Sequence, residues 1–329
     1  MTKEKVKIGI IGYGNLGRGV EAAIQRQADM ELVAIFSRRG AQGVTPLDTK
    51  VAVKHVDEIL TYKDQIDVML LCGGSATDLP KQTPLYTEHF NTIDSFDNHS
   101  QIPQHFEQVD HVAQKSGKIS IISVGWDPGL FSVNRVLAEA VLPQGETYTF
   151  WGRGLSQGHS DAIRRIKGVR NGVQYTIPSE DAINQVRRNE QPDLSTSDKH
   201  MRECYVVLEE EADAAEIEQT IKTMPAYFAD YETSVHFISE EDLNSNHSAM
   251  PHGGMVIRSG ETGAGHSQVY EFNLTLGSNP EFTASVLVAY ARAAYRLNRR
   301  GQKGARTIFD ISLSDLAAQS PAELRRQFL

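Results

Sequence analysis

The apolar run Val6–Ile11 leads directly into Gly12-Tyr13-Gly14-Asn15-Leu16-Gly17. Leu16, Val20, Ala23 and Ile24 then recur at helical spacing over residues 16–27, and residues 32–36 form a second apolar run. A strand, a glycine turn that opens a helix, and another strand are the parts of a βαβ unit. The three glycines have separate tasks: the first permits the tight turn, the second lets a pyrophosphate approach the backbone, and the third lets helix pack on strand. The helix N-terminus then faces the phosphates. Gly12, Tyr13, Gly14, Asn15 and Leu16 are therefore expected to border a dinucleotide. In NAD-binding units an acidic residue about 20 positions on takes the ribose 2′-hydroxyl, but here the second strand ends on Ser37-Arg38-Arg39. A carboxylate would repel a 2′-phosphate; a hydroxyl and two guanidiniums would bind it. The expected cofactor is NADP.

Strand-like runs follow at 67–72, 91–96 and 118–124, the last two separated by a helical stretch over 103–115. Apolar residues run continuously through them rather than alternating, which is the pattern of a parallel sheet covered on both faces. The fold class this predicts is α/β, a doubly wound dinucleotide-binding domain over residues 1–148. Beyond it, runs at 173–177, 203–208, 234–238, 255–258 and 269–276 alternate apolar with polar residues, so one face of that sheet should meet water or a partner. Helical stretches at 161–166, 180–188 and 213–224 interrupt them. The reading is an α+β second domain over 149–280. A long helical segment at 282–300 is expected to return the chain to the first domain, giving a C-terminal segment of 281–329. Residues 143–146 and 301–306 read as the softest linkers.

With 329 residues, 40% of them hydrophobic, the chain is long enough for two cores. A net charge of −9 argues against a nucleic-acid-binding face, which needs a basic surface. Two distant cysteines, Cys72 and Cys204, read as reduced thiols of a cytoplasmic protein. No h-region precedes the first strand and no apolar run approaches a membrane span, so a soluble protein with no membrane partner is expected. No metal is expected, because His159, His252 and His266 lack close ligand spacing with cysteines or carboxylates.

The run Cys72-Gly73-Gly74-Ser75-Ala76-Thr77 follows a strand whose end should lie near the cofactor, and its small residues permit close approach. The next two strands end in Asp94-Ser95-Phe96-Asp97-Asn98-His99 and Val124-Gly125-Trp126-Asp127-Pro128-Gly129. Ligands of open α/β sheets bind beyond the carboxyl ends of the strands, which puts Ser95, Phe96, Asp97, Val124, Gly125, Trp126 and Asp127 on the nicotinamide side. Asp127 alone would serve equally as a helix cap. Two carboxylates near a hydride-transfer position suit a cationic substrate group such as an ammonium. The loop from Trp151 to Ser160 is glycine-rich with an aromatic wall, Arg202 could clamp a carboxylate, and His252 in Met250-Pro251-His252-Gly253-Gly254 could donate a hydrogen bond.

The runs GYGNLGR, SRR, CGGSATD, DNH at 97–99, GWDPG, FWGRGLSQGHSDAIRR, MPHGG and NPEFTAS together resemble the meso-diaminopimelate D-dehydrogenases over nearly the whole length. The resemblance implies NADP-dependent oxidative deamination of meso-2,6-diaminopimelate at its D-configured carbon, to L-2-amino-6-oxopimelate and ammonia, within lysine biosynthesis. It implies a homodimer, with the domain over 149–280 acting as the substrate-binding and dimerisation domain. It also implies that Asp97, Trp126, Asp127, Trp151, Gln157, Gly158, Thr176, Arg202, His252 and Asn279 surround the substrate. Thr176 and Asn279 enter only through the resemblance. Hydride transfer from the D-carbon leaves an iminium that water attacks, so a base must take up protons; Asp97 is the first candidate and Asp127 the second. A different NADP-linked reductase of a related dicarboxylate, or a non-enzymatic NADP sensor, would share the first domain.

Overall fold

A computed structural model describes residues 5–225, 227–263 and 265–329, with Gln157 by its backbone alone. The chain forms two compact units, Met1–Val133 with Pro280–Leu329, and Asn134–Asn279. In the first, β1 (Val6–Ile11), β2 (Met30–Ser37), β3 (Ala52–His55), β4 (Val68–Leu71), β5 (Asn91–Asp94) and β6 (Ile119–Ile121) join a C-terminal strand, Gly304–Arg306, in one seven-stranded sheet. Every pairing in it is parallel. The order is Gly304–Arg306, β6, β5, β4, β1, β2, β3, so the winding reverses between β1 and β4. Ile11 pairs with Leu71 on one side and Phe36 on the other. The loops beginning at Gly12, Cys72 and Arg38 are therefore level with one another at the switch point, where this architecture binds ligands.

The continuous apolar strands are buried on both faces, as the doubly wound reading requires. Val68 and Leu70 join a cluster with Ile8, Ile10, Ile93 and Leu287, whereas Met69 and Leu71 join Phe36, Ile59, Leu79 and Phe96 on the other side. Leu287 belongs to the helix Asn279–Arg299, which brings the chain back onto the first sheet. A Cβ added at Gly19 would lie 3.0 Å from the Ala284 Cβ, so small residues set that helix against Asn15–Ile24. Farther along, the buried Arg292 donates to both carboxylate oxygens of Asp29 and to the Leu316 carbonyl.

The second unit contains two sheets built from β7 (Gly145–Trp151), β8 (Gly154–Leu155), β9 (Val169–Pro178), β10 (His200–Leu208), β11 (Thr233–Phe237), β12 (His252–Glu261) and β13 (Ser267–Leu276). Their orders are β11-β10-β9-β8 and β13-β12-β7, antiparallel except for β10 with β11. Residues 134–148, read from sequence as the end of the first domain, fall in this unit because β7 pairs with β12 from Gly145 onward. The stretch 143–146 is accordingly only half linker. The other expected linker also ends in structure: Gly304, Ala305 and Arg306 pair with Ile119, Ser120 and Ile121. Three residues without an apolar pattern become a strand because the open edge of β6 supplies partners for their backbone.

Candidate functional site

The switch point carries a cleft of about 300 Å³ lined by Ile11, Gly12, Tyr13, Gly14, Ser37, Arg38, Arg39, Val56, Cys72, Gly73, Gly74, Asp78 and Gln82. Gly12 has φ +89°, and a Cβ there would sit 2.9 Å from the Cys72 carbonyl oxygen. A Cβ on Gly17 would lie 2.2 Å from the Gly12 oxygen, so the third glycine is needed for the helix to meet the strand. A Cβ on Gly14 would meet nothing within 4 Å: it would enter the space that a pyrophosphate needs. Among the described residues no side chain caps the helix Asn15–Ile24, and its N-cap, Gly14, lines the cleft. The Tyr13 side chain turns away to the buried Glu21 carboxylate, and burial together with that hydrogen bond pushes its hydroxyl up to about 12. Its carbonyl remains in the cleft and accepts from Arg39 Nη2 at 2.7 Å. Leu16 packs on the core and Asn15 is exposed. Arg38, with 74% of its side chain exposed, pairs with Asp78 at 3.3 Å, and Ser37 Oγ accepts the Arg39 amide. Burial pushes the Cys72 thiol up to about 12, so it is a neutral wall of the cleft rather than a nucleophile.

Beyond β4 and β5, Ser75 and Asp97 bond reciprocally. Ser75 Oγ donates to Asp97 Oδ1 at 2.5 Å and accepts the Asp97 amide at 2.9 Å. The exposed Asp97 carboxylate is thereby fastened to the glycine-rich loop. Ser95 is half-buried, while Phe96 and Val124 point into the core and offer a ligand only their backbone. After β6, Gly125 and Trp126 are buried, and Asp127 is partly exposed. The Trp126 ring meets Phe131 edge-on at 5.1 Å. A Cβ on Gly129 would overlap the Gly125 carbonyl, so the turn that presents Asp127 tolerates only glycine there.

Within the second unit, antiparallel pairing of β9 and β10 sets Thr176 opposite Arg202, and Nη1 of the arginine donates to Thr176 Oγ1. The guanidinium lies 3.9 Å above the Tyr231 ring. It is buried, its Nε has no hydrogen-bond partner, and among the described residues no carboxylate pairs with it. Burial lowers its pKa from the usual arginine value. A desolvated cation with a spare donor is a site for an anion. β8 places Gly154 opposite Thr176, and a Cβ on Gly154 would collide with the His252 ring, so Arg202, Thr176 and His252 share one neighbourhood. Trp151, at the end of β7, stacks on His200 with centroids 5.3 Å apart and donates its amide to His200 Nε2 at 2.9 Å. Gln157 and Gly158 begin the helix Gln157–Arg164; the Gln157 side chain lies outside the described residues. Asn279 donates its amide to the Met250 carbonyl, fixing the end of the unit beside Pro251 and His252.

The family model for the diaminopimelic acid dehydrogenase C-terminal domain matches residues 125–278. The meso-diaminopimelate D-dehydrogenase of Ureibacillus thermosphaericus is 64% identical over 325 residues, spanning 99% of each chain. The chain belongs to the meso-diaminopimelate D-dehydrogenase family. Solved structures agree along the whole length. The Corynebacterium glutamicum DAP dehydrogenase in complex with DAP is 46% identical, covers 100% of both chains and has a TM-score of 0.90. An engineered D-amino acid dehydrogenase bound to NADP+ is 45% identical, covers 99% of this chain and 100% of its own, and has a TM-score of 0.85.

Each unit also contains residues the sequence did not single out. Val56, Asp78 and Gln82 line the cleft, Tyr231 supports Arg202, and His200 supports Trp151. Asp78 closes the quoted run CGGSATD and could have been found there. Tyr231 and His200 carry no local signal, since their partners are brought from distant parts of the chain by the tertiary fold. Because His200 Nε2 accepts a hydrogen bond, its ring is neutral with the proton on Nδ1. Burial chiefly holds His200 down to about 4, and does the same for His159. Below about 6.5 the unfolded chain takes up protons that the folded one refuses, so folding stability falls from that pH toward 4. At pH 5 the expected loss from His200 is about 2 kcal/mol, with His159 adding in the same direction. Carboxylates held low by arginines, such as Asp29, lose their stabilisation only below about pH 4 and lie outside this window. Urea unfolding at pH 7 and pH 5 measures the effect; equal stabilities at the two values would refute it.

Proposed function

We propose that this chain is an NADP-dependent oxidoreductase acting on a CH–NH2 group, which deaminates meso-2,6-diaminopimelate at its D-centre to L-2-amino-6-oxopimelate and ammonia. It also runs the reverse reductive amination, in lysine biosynthesis. The observation that carries the reading is the buried, uncompensated guanidinium of Arg202 with Thr176 bonded to it. Such a group suits a carboxylate-bearing amino-acid end, and the strong family relationship names which amino acid.

The cleft residues fit the cofactor. Gly12, Gly14 and the uncapped helix would hold the pyrophosphate, Ser37, Arg38 and Arg39 the 2′-phosphate, and Cys72, Gly73, Gly74 and Ser75 the adjoining wall. When bound, NADP+ supplies the hydride acceptor. The rest of the work falls to side chains. Arg202, Thr176, His252 and Asn279 hold the L-configured end, which fixes the distant D-carbon by geometry rather than by recognising that carbon itself. Trp126, beside Asp127, would exclude water from the reacting end, and Trp151, stacked on His200, would wall the clamp. Asp97, held by Ser75 and exposed to solvent, would take a proton from the substrate ammonium, release it to solvent, and later take one from the attacking water, with Asp127 orienting the amine. A homodimer in the cytoplasm is part of the same proposal, and the largely exposed outer strand β13 offers an edge for pairing.

The test is a substrate panel with NADP+. Activity on meso-diaminopimelate with less than about one-tenth of that rate on the L,L isomer is expected, since a clamp for an L end must present a D-carbon for reaction. Comparable rates on both isomers would overturn the assignment. Reduction of a related keto-dicarboxylate by NADPH without ammonia would identify a different reductase, and NADPH binding with no turnover at all would identify a sensor.

A further inference from the structure

Asp94 ends β5 and is fully buried, an expensive place for a carboxyl group. Its four hydrogen bonds account for it. Oδ1 accepts the amide of Phe96 at 3.1 Å and the amide of Ser123 at 2.8 Å. Oδ2 accepts the Thr83 hydroxyl at 2.7 Å and lies 2.8 Å from Nε2 of the buried His105. The lone pairs are saturated. The Asp94 carbonyl also accepts the Val124 amide at 2.9 Å.

The two amides on Oδ1 belong to the two segments that carry the acidic residues of the proposed chemistry. Phe96 immediately precedes Asp97, and its ring packs on His105 at 4.4 Å. Ser123 opens the turn that runs through Trp126 and Asp127, and it does so at φ +56°, in the left-handed region that a non-glycine residue adopts only when held there. Its own hydroxyl holds nothing, for Ser123 Oγ is buried without a hydrogen-bond partner. Asp94 is what fixes that backbone. Thr83 adds a third tie, because its helix, Leu79–Thr87, follows the loop whose Ser75 grips Asp97.

We propose that Asp94, backed by His105 and Thr83, is the positioning residue of this active site: one buried carboxylate that sets the segments bearing Asp97 and Asp127 relative to each other. The inference rests on the proposed roles of Asp97 and Asp127. It assigns Asp94 no contact with substrate. A leucine of similar size would leave the Phe96 and Ser123 amides without acceptors, whereas asparagine keeps one carbonyl oxygen for them.

The experiment compares wild type, Asp94→Ala and Asp94→Asn by steady-state kinetics with meso-diaminopimelate and NADP+, by NADP+ affinity, and by hydrogen–deuterium exchange over residues 95–99 and 123–129. In Asp94→Ala the expected result is faster exchange in both segments and a kcat at least about tenfold lower, with NADP+ affinity within about threefold, because the phosphate contacts lie elsewhere. Asp94→Asn is expected to restore protection and most of kcat. If Asp94→Ala does not fold, Asp94→Ser takes its place, since a serine hydroxyl is too short to reach both amides. A merely structural role predicts a lower Tm with unchanged kcat and KM in the folded fraction, and that result would overturn the proposal. So would unchanged exchange in either segment, or a loss of NADP+ binding as large as the loss of kcat. Should wild type itself fail to turn over diaminopimelate, the functional reading fails, while the exchange comparison still decides whether Asp94 positions the two segments.

Discussion

Replacing Arg202 by Met is expected to raise the KM for meso-diaminopimelate about a hundredfold, with NADP+ affinity nearly unchanged. A guanidinium forms two parallel charge-assisted bonds to a carboxylate, and removing one partner of such a desolvated pair costs roughly 2–3 kcal/mol. Here the cation is already desolvated: Tyr231 covers one face at 3.9 Å, Thr176 takes one donor, and Nε has no partner. Its side chain is thus pre-organised, and little ordering is lost when an anion arrives. Some fall in kcat should accompany the KM effect if the reacting carbon loses its place. Arg202→Lys preserves the charge but neither the planar fork nor the stacking, and should fall between wild type and Met. A purely structural arginine predicts the opposite pattern, a depressed Tm beside an unaltered diaminopimelate KM. Measuring both on each variant decides it, and that pattern would remove Arg202 from the site.

The pairing of Arg202 with Thr176 also marks how far the sequence could be read. Runs such as Val6–Ile11 and Val68–Leu71 announce a parallel sheet because burial on both faces leaves no room for polar alternation. The glycine fingerprint is legible for a partly local reason: Gly12 takes φ +89° and Gly17 abuts the Gly12 carbonyl, whereas the close approach of Gly12 to Cys72 comes from strand order. Thr176 and Arg202 are 26 positions apart, and only the antiparallel register of β9 and β10 sets them opposite each other. No spacing rule yields that register; Thr176 entered only through resemblance to a family, and nothing local paired it with Arg202. Asp94 shows the converse. It stands in a segment singled out for Asp97, yet its burial and its grip on Ser123, 29 positions away, are products of strand order. The strand Gly304–Arg306 is equally silent in sequence, since it exists by pairing with β6. Asp78 was within reach: four positions beyond Gly74, it accepts that glycine's amide and pairs with Arg38.

That contact bears on the cofactor prediction. Replacing Arg38 and Arg39 together by Ala is expected to weaken NADP+ binding about a hundredfold while changing NAD+ affinity by no more than about threefold, because only bonds to the 2′-phosphate are lost. The arginines do not contribute equally. Arg39 is braced by its Nη2 bond to the Tyr13 carbonyl and by its amide on Ser37 Oγ, so it meets the phosphate already placed. Arg38 is mostly exposed and paired with Asp78, whose carboxylate competes for the same guanidinium. Both side chains are exposed, so screening reduces what each adds. Arg39→Ala should account for more of the loss than Arg38→Ala because its guanidinium is already braced, and both losses should shrink as salt is raised. Titrating both cofactors into wild type and the three variants, at low and at physiological ionic strength, separates these effects. Equal losses for NADP+ and NAD+ in the double variant would show that the arginines support the loop rather than read the phosphate.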